Sequence, residues 1–87
     1  MKKDKILIKL EVPELNKTYD IYISSNELVW KTNKLILRVI SELNDNLVNE
    51  TDNYILLNKN SNTIYNSNIF IKDTDIINGS ELVLLRG

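Results

Sequence analysis

Apolar and polar positions alternate from Ile6 to Glu11, with Ile6, Ile8 and Leu10 on one side of the chain and Leu7, Lys9 and Glu11 on the other. A period of two marks a β-strand with one face in a core, because successive side chains of a strand leave on opposite faces. Pro13 ends the run, having no N–H to give to a ladder. The same period returns at Tyr19, Ile21 and Ile23, interleaved with Asp20 and Tyr22. The connector Pro13-Glu14-Leu15-Asn16-Lys17 carries turn chemistry, so the first two elements are expected to form an antiparallel hairpin.

From Thr32 the period changes. Leu35, Ile36, Val39, Ile40 and Leu43 recur at three-to-four spacing, which puts one apolar stripe on a helix and turns Lys34, Arg38, Ser41 and Glu42 away from it. Ser24, Ser25, Asn26 and Thr32 can each serve as its N-cap, and a cap at Asn26 adds Leu28 and Val29 to the stripe. Asn44-Asp45-Asn46 is the expected stop.

Further on, Tyr54-Ile55-Leu56-Leu57 reads as a short strand, Asn58 to Asn62 as a turn, and Thr63-Ile64-Tyr65 as a brief returning strand. Ile69, Phe70 and Ile71 show no clean alternation. Asn78-Gly79 marks positive backbone dihedrals just before a last strand, Glu81 to Arg86. The order ββαβ(β)β, with one helix, predicts an α+β fold: a mixed sheet of four to five strands with the helix across one face. The first and last strands are the most apolar and suit paired central positions, joined in parallel as in the β-grasp fold. Residues 1–87 are read as a single domain in which Leu35, Ile36, Val39, Ile40 and Leu43 pack on Ile6, Ile8, Ile21, Ile23, Leu56, Leu82 and Leu84.

Composition narrows the chemistry. The chain has 87 residues, 43% apolar and 26% charged, so a packed core is expected, although a chain this short buries only about 60–65% of its unfolded surface. Net charge is -1 and the 11 basic residues are scattered, which argues against nucleic acid as a partner. Cysteine and histidine are both absent, removing disulfides, the commonest metal ligand and the commonest general base. With carboxylates placed mainly in turns, no constellation for catalysis converges, and an enzyme is not expected. The basic start through Lys5 is followed by an apolar stretch broken at Lys9 and Glu11, too short for a signal peptide. No run reaches the roughly 18 apolar residues that span a bilayer, so a cytoplasmic protein without membrane insertion is expected.

Tyr19-Asp20-Ile21-Tyr22-Ile23, Asn33-Lys34-Leu35-Ile36 and Asp75-Ile76-Ile77-Asn78-Gly79-Ser80-Glu81-Leu82-Val83-Leu84 carry a resemblance over nearly the whole chain. In these segments it resembles the ubiquitin-like proteins of the YukD/EsaB type, which accompany type VII (WXG-type) secretion systems of Gram-positive bacteria. The resemblance implies a ubiquitin-like β-grasp fold, no cofactor, and a non-covalent accessory or regulatory role on the cytoplasmic side of such a machine. Its partners would be other proteins, membrane components of the machine among them. The ending Leu82-Val83-Leu84-Leu85-Arg86-Gly87 also resembles ubiquitin itself. The rival expectation is therefore a covalent modifier or sulfur carrier acting through Gly87. Such proteins present a flexible tail ending in two glycines, whereas here only Arg86 and one glycine follow the apolar strand.

Individual residues offer further candidates. Asp73, Asp75 and Asn78 look like part of a calcium loop, but the bidentate Glu at the twelfth position is missing and turn formation explains them. Trp30 can close the end of a small core or contact a partner, since tryptophan gives large contact area with few rotatable bonds. Tyr22, on the polar face of its strand, is a second partner-contact candidate. Lys31, Lys34 and Arg38 form a basic strip on the helix, either a solvated face or an attraction for an acidic partner.

Overall fold

The computed structural model describes residues 4–44 and 54–86. Strand β1 (Lys5–Val12) runs into a 3-10 turn at Pro13–Leu15 and returns as β2 (Lys17–Ser24). Asn16 closes the turn in the left-handed region, φ 54°, where asparagine is among the better-tolerated residues. Helix α1 (Val29–Leu43) follows, then β3 (Tyr54–Asn58), β4 (Thr63–Ile64), a 3-10 turn at Ile71–Asp73, and β5 (Glu81–Arg86).

The five strands form one mixed sheet in the order β2-β1-β5-β3-β4. β1 and β5 pair in parallel at its centre, with Leu10 opposite Leu82, as their apolar content predicts. β2 pairs antiparallel with β1, and β3 antiparallel with both β4 and β5. The inward row of β1 (Ile8, Leu10, Val12) and that of β5 (Leu82, Leu84) are buried, together with Tyr54 and Leu56 of β3. Ile6 and Ile21 are partly buried against this cluster.

The helix differs from its expected register. Ile36 and Ile40 are buried as predicted, but with them lie Val29, Thr32, Leu37 and Ser41, while Leu35, Val39 and Leu43 are exposed. The buried face is thus centred on Ile36 and Ile40 and takes in Leu37 on one flank, leaving Leu35 and Val39 on the other. α1 makes its main backbone approach to β3, which leaves the β2 side of the sheet less covered.

The helix start also differs: none of Ser24, Ser25, Asn26 or Thr32 caps it. The leading amides are satisfied from a distant segment instead. Val29 N–H donates to the Ile69 carbonyl (2.9 Å) and Trp30 N–H to that of Ser67 (3.1 Å). Backbone carbonyls from the 66–71 segment thereby replace a capping side chain. Thr32, proposed as a cap, is buried one turn into the helix and gives its hydroxyl to the Leu28 carbonyl (2.9 Å). The stop falls at Asn44, whose Nδ2 donates to the Ile40 carbonyl and to the Tyr19 hydroxyl, both at 2.8 Å, while its Oδ1 accepts from Lys17 Nζ. Asp45 and Asn46 lie outside the described residues.

At the other end of the sheet, Ile77 to Ser80 form a turn closed by Ser80 N–H on the Ile77 carbonyl (3.0 Å). Gly79 there has φ +92°, a conformation that costs L side chains energy. The turn is held against β1 through both backbone groups of Leu7: its N–H donates to Asn78 Oδ1 (2.8 Å) and its carbonyl accepts from Gly79 N–H (2.7 Å).

Candidate protein-docking groove

Among the described residues β2 has a neighbour on one side only. The direction of its backbone groups follows from the ladder. Ser25 N–H donates to the Asp4 carbonyl, so Asp4 and Ser25 are a hydrogen-bonded pair, and antiparallel pairs alternate. In the observed register Ile23, Ile21 and Tyr19 therefore point their N–H and C=O groups at β1. Those of Ser24, Tyr22, Asp20 and Thr18 point off the open edge. The alternation is consistent on the other side of β1, where Leu7 and Lys9 turn their backbone toward the segment leading into β5.

Beside this edge runs an apolar groove of about 150 Å³ between β2 and α1, lined by Ile21, Tyr22, Ile23, Ser24, Glu27, Thr32, Leu35, Ile36 and Val39. Its volume matches cavities that accept a benzene-sized group. Leu35 is 49% exposed and Val39 44%, although both are aliphatic residues in the middle of a helix. Sequence reasoning missed this pair as surface residues by counting them into the core. The available signal was the width of the apolar arc, since Leu35, Ile36, Leu37, Val39 and Ile40 cover more of the helix than the usual stripe of about 100°.

Of the predicted contact residues, Tyr22 is 66% exposed; its side chain leaves on the outer sheet face opposite Leu7, and the residue forms part of the groove rim. Lys31, Lys34 and Arg38 are exposed and form no ion pair with a described residue. Lys31 and Arg38 stand four residues before and three after Leu35, which makes them its neighbours on the helix surface. Trp30 is exposed, at 43%. At 100° per residue it lies on the far side of α1 from Leu35, so it does not join Tyr22 at one site. Gly87 lies outside the described residues.

The outer sheet face carries a second apolar surface. Val83, Leu57 and Ile64 stand side by side on β5, β3 and β4; Val83 is buried, Leu57 half-buried and Ile64 56% exposed at the β4 edge. Glu11 lies beside Val83 and takes an ion pair from Lys59 (3.0 Å) across this face.

A polar cluster at the β3–β4 turn has the look of a site and works as a pin. Buried Asn58 gives Nδ2 to the Tyr65 hydroxyl (3.0 Å) and to Asp75 Oδ1 (3.2 Å), and its Oδ1 accepts from Asn60 N–H (2.9 Å). Tyr65 in turn donates its hydroxyl to Asp75. That bond holds the Asp75 carboxyl below its usual range, while desolvation, and then the bond to Asp75, push the Tyr65 phenol up. These bonds join the turn to the approach of β5. Among the described residues no helix is long and apolar enough to cross a membrane.

Known structures of the same architecture exist. No protein-family model matches the chain, and no curated protein matches it in sequence. The fold is similar to a chain of the ESX-5 inner membrane complex free of MycP5, with TM-score 0.78 and 11% identity over 97% of this chain. The match spans 21% of that larger chain. It is also similar to the ubiquitin-like domain of the Mycobacterium tuberculosis type VII secretion protein EccD1, with TM-score 0.71 and 12% identity, covering 93% of this chain and 97% of that one. The ubiquitin-like domain of Plasmodium falciparum Dsk2 matches with TM-score 0.68 and 14% identity, covering 95% and 99%. At these identities the likeness shows the fold: the chain is a ubiquitin-like α+β domain.

Proposed function

We propose that the chain is a non-covalent protein-docking module of the YukD/EsaB type, an accessory or regulatory component on the cytoplasmic side of a type VII secretion machine. The observation that carries docking is the apolar groove beside the open edge of β2, an aliphatic surface that the fold leaves uncovered. Affinity at such a surface comes from burying apolar and aromatic groups, with rim charges contributing less. The secretion context is supported by structural likeness to a chain of the ESX-5 membrane complex and to EccD1, and by the segments quoted from the sequence.

The end of β5 supports docking over conjugation. Arg86 pairs with Tyr54 in the sheet, donates Nε to a Glu14 oxygen (3.0 Å) and lies over the Tyr54 ring. These contacts hold Arg86, the residue that precedes Gly87, against the sheet.

The test is deletion of the gene in its own cell, with secretion of WXG-type substrates as the readout. Secretion falls, wild-type and Gly87→Ala chains both restore it, and the chain co-purifies with the solubilised membrane complex at its own mass under denaturing conditions. Unchanged secretion on deletion, or covalent adducts that vanish with Gly87→Ala, overturns the reading.

A further inference from the structure

We propose that Asn78-Gly79 is a latent deamidation site held closed by Leu7, and that the isoaspartate it yields leaves the junction between β1 and the turn unfastened. The inference is independent of the docking reading and concerns the one Asn-Gly pair in the chain.

The reaction needs no enzyme. The Gly79 main-chain nitrogen gives its proton to solvent base and attacks Cγ of Asn78. The new N–C bond closes a five-membered succinimide as the Cγ–Nδ2 bond breaks, and Nδ2 takes up a proton and leaves as ammonia. Water then adds to either ring carbonyl and opens the ring to aspartate or isoaspartate, so one water is consumed for each ammonia released. Glycine favours the attack because no side chain shields its nitrogen, whereas Asn60-Ser61 and Asn66-Ser67 place one there. Asn78 and Gly79 are both exposed, so water and base reach them. Yet both reacting groups are engaged by one residue. The Gly79 N–H donates to the Leu7 carbonyl (2.7 Å), which shelters its proton from base. The Asn78 carboxamide, which must swing onto that nitrogen, is fixed by the Leu7 N–H on its Oδ1 (2.8 Å). Opening of the junction therefore precedes cyclisation, as it precedes hydrogen exchange at the Gly79 amide. The two products differ in their effect. Aspartate at position 78 keeps a carboxylate oxygen for the Leu7 N–H. Isoaspartate runs the main chain through the former side chain, adding a methylene to a turn closed by Ser80 N–H on the Ile77 carbonyl (3.0 Å) and displacing the acceptor of the Leu7 amide.

The experiment incubates the whole chain in mildly alkaline buffer, with and without denaturing guanidinium, and follows conversion by peptide mapping and isoaspartyl methyltransferase labelling. Conversion at Asn78 should run at least about tenfold faster in the unfolded chain than in the folded one, and ahead of Asn60 and Asn66. Its rate in the folded chain should climb through sub-denaturing guanidinium in step with hydrogen exchange at the Gly79 amide. Gly79→Ala should slow conversion under denaturing conditions, where the stability of the variant has no bearing. The isoaspartate form, isolated from aged protein by ion exchange, should exchange its Leu7 amide faster than wild type while the Ile40 amide inside α1 stays protected. Asn78→Asp should protect Leu7 nearly as wild type does. Equal conversion rates in folded and unfolded chains, or a folded rate that ignores Gly79 exchange, overturn the hold by Leu7. Conversion that favours Asn60 or Asn66 in the unfolded chain overturns the site itself. An isoaspartate form that still protects Leu7, or one that loses Leu7 and Ile40 protection together, overturns the local unfastening.

Discussion

The Tyr54 hydroxyl donates a 2.6 Å hydrogen bond to the Glu14 carboxylate, joining the first residue of β3 to the turn between β1 and β2 across 40 positions of sequence. Arg86 holds the second oxygen of the same carboxylate, so one side chain ties together three separate parts of the sheet.

A pH dependence follows. The Tyr54 hydrogen bond, then that of Arg86, lowers the Glu14 carboxyl from its usual 4.5. A group whose pKa is lower folded than unfolded adds stability above the unfolded value and loses it as pH falls through the folded one. Urea midpoints should therefore drop as pH is taken below about 4.5, and drop less steeply in Glu14→Gln. Equal slopes in both proteins would remove Glu14 from the account of acid sensitivity.

The observed helix register separates two truncations that the sequence pattern treats alike. Ile40 is fully buried, so Ile40→Ala should cost about 2–5 kcal/mol in equilibrium unfolding. Leu35→Ala, at an exposed position, should stay within about 0.5 kcal/mol of wild type. Comparable losses in the two variants would return the helix to the register read from periodicity.

Asn58 is expected to matter as a bridge. Asn58→Ala leaves the Asn60 amide without its acceptor and takes the Nδ2 donor from Tyr65 and Asp75, at a cost of about 1–3 kcal/mol. Asp75→Asn should bring the Tyr65 phenol back toward its usual 10.0, measurable by NMR titration, because the bond to Asp75 is among the causes that raise it. A Tyr65 titration unmoved by Asp75→Asn would assign the whole shift to desolvation.

Gly79→Ala isolates backbone strain. An added Cβ meets nothing within 4 Å, so the cost comes from φ +92° alone, about 1–2 kcal/mol. Faster hydrogen exchange at the Leu7 amide should accompany it, since the turn supplies the acceptor of that amide. A neutral substitution with protected Leu7 would show that the turn relaxes without loss.

The strands were legible because alternation is local and binary: one face of β1 is wholly apolar while the other carries Lys5, Lys9 and Glu11 beside Leu7, and a one-residue slip would bury those charges. The parallel centre was legible from the apolar content of β1 and β5. The helix face was not, because Leu35, Ile36, Leu37, Val39 and Ile40 permit more than one buried centre, and the sheet beneath decides which is chosen. The helix start was hidden for a related reason. Its amides are satisfied by Ser67 and Ile69, residues far away in sequence that no local capping pattern announces. The exposure of Tyr22 was legible because it follows from parity on a half-buried strand. The open edge beside it belongs to sheet order, which alternation does not encode.

The parallel join of β1 and β5 also sets how the molecule answers a mechanical load. β1 begins near one end of the chain and β5 finishes near the other, with Lys9, Leu10 and Glu11 beside Glu81, Leu82 and Val83. Tension on the two ends drags these strands past each other lengthwise, so the hydrogen bonds between β1 and β5, together with the Leu7 attachments to the turn at Asn78 and Gly79, are strained together and cannot open one at a time. Single-molecule stretching between the ends should therefore show one high-force rupture, whereas pulling across the β3–β4 edge should unzip the sheet at lower force. A domain so built can be tugged by whatever holds its ends and keep its docking surface folded.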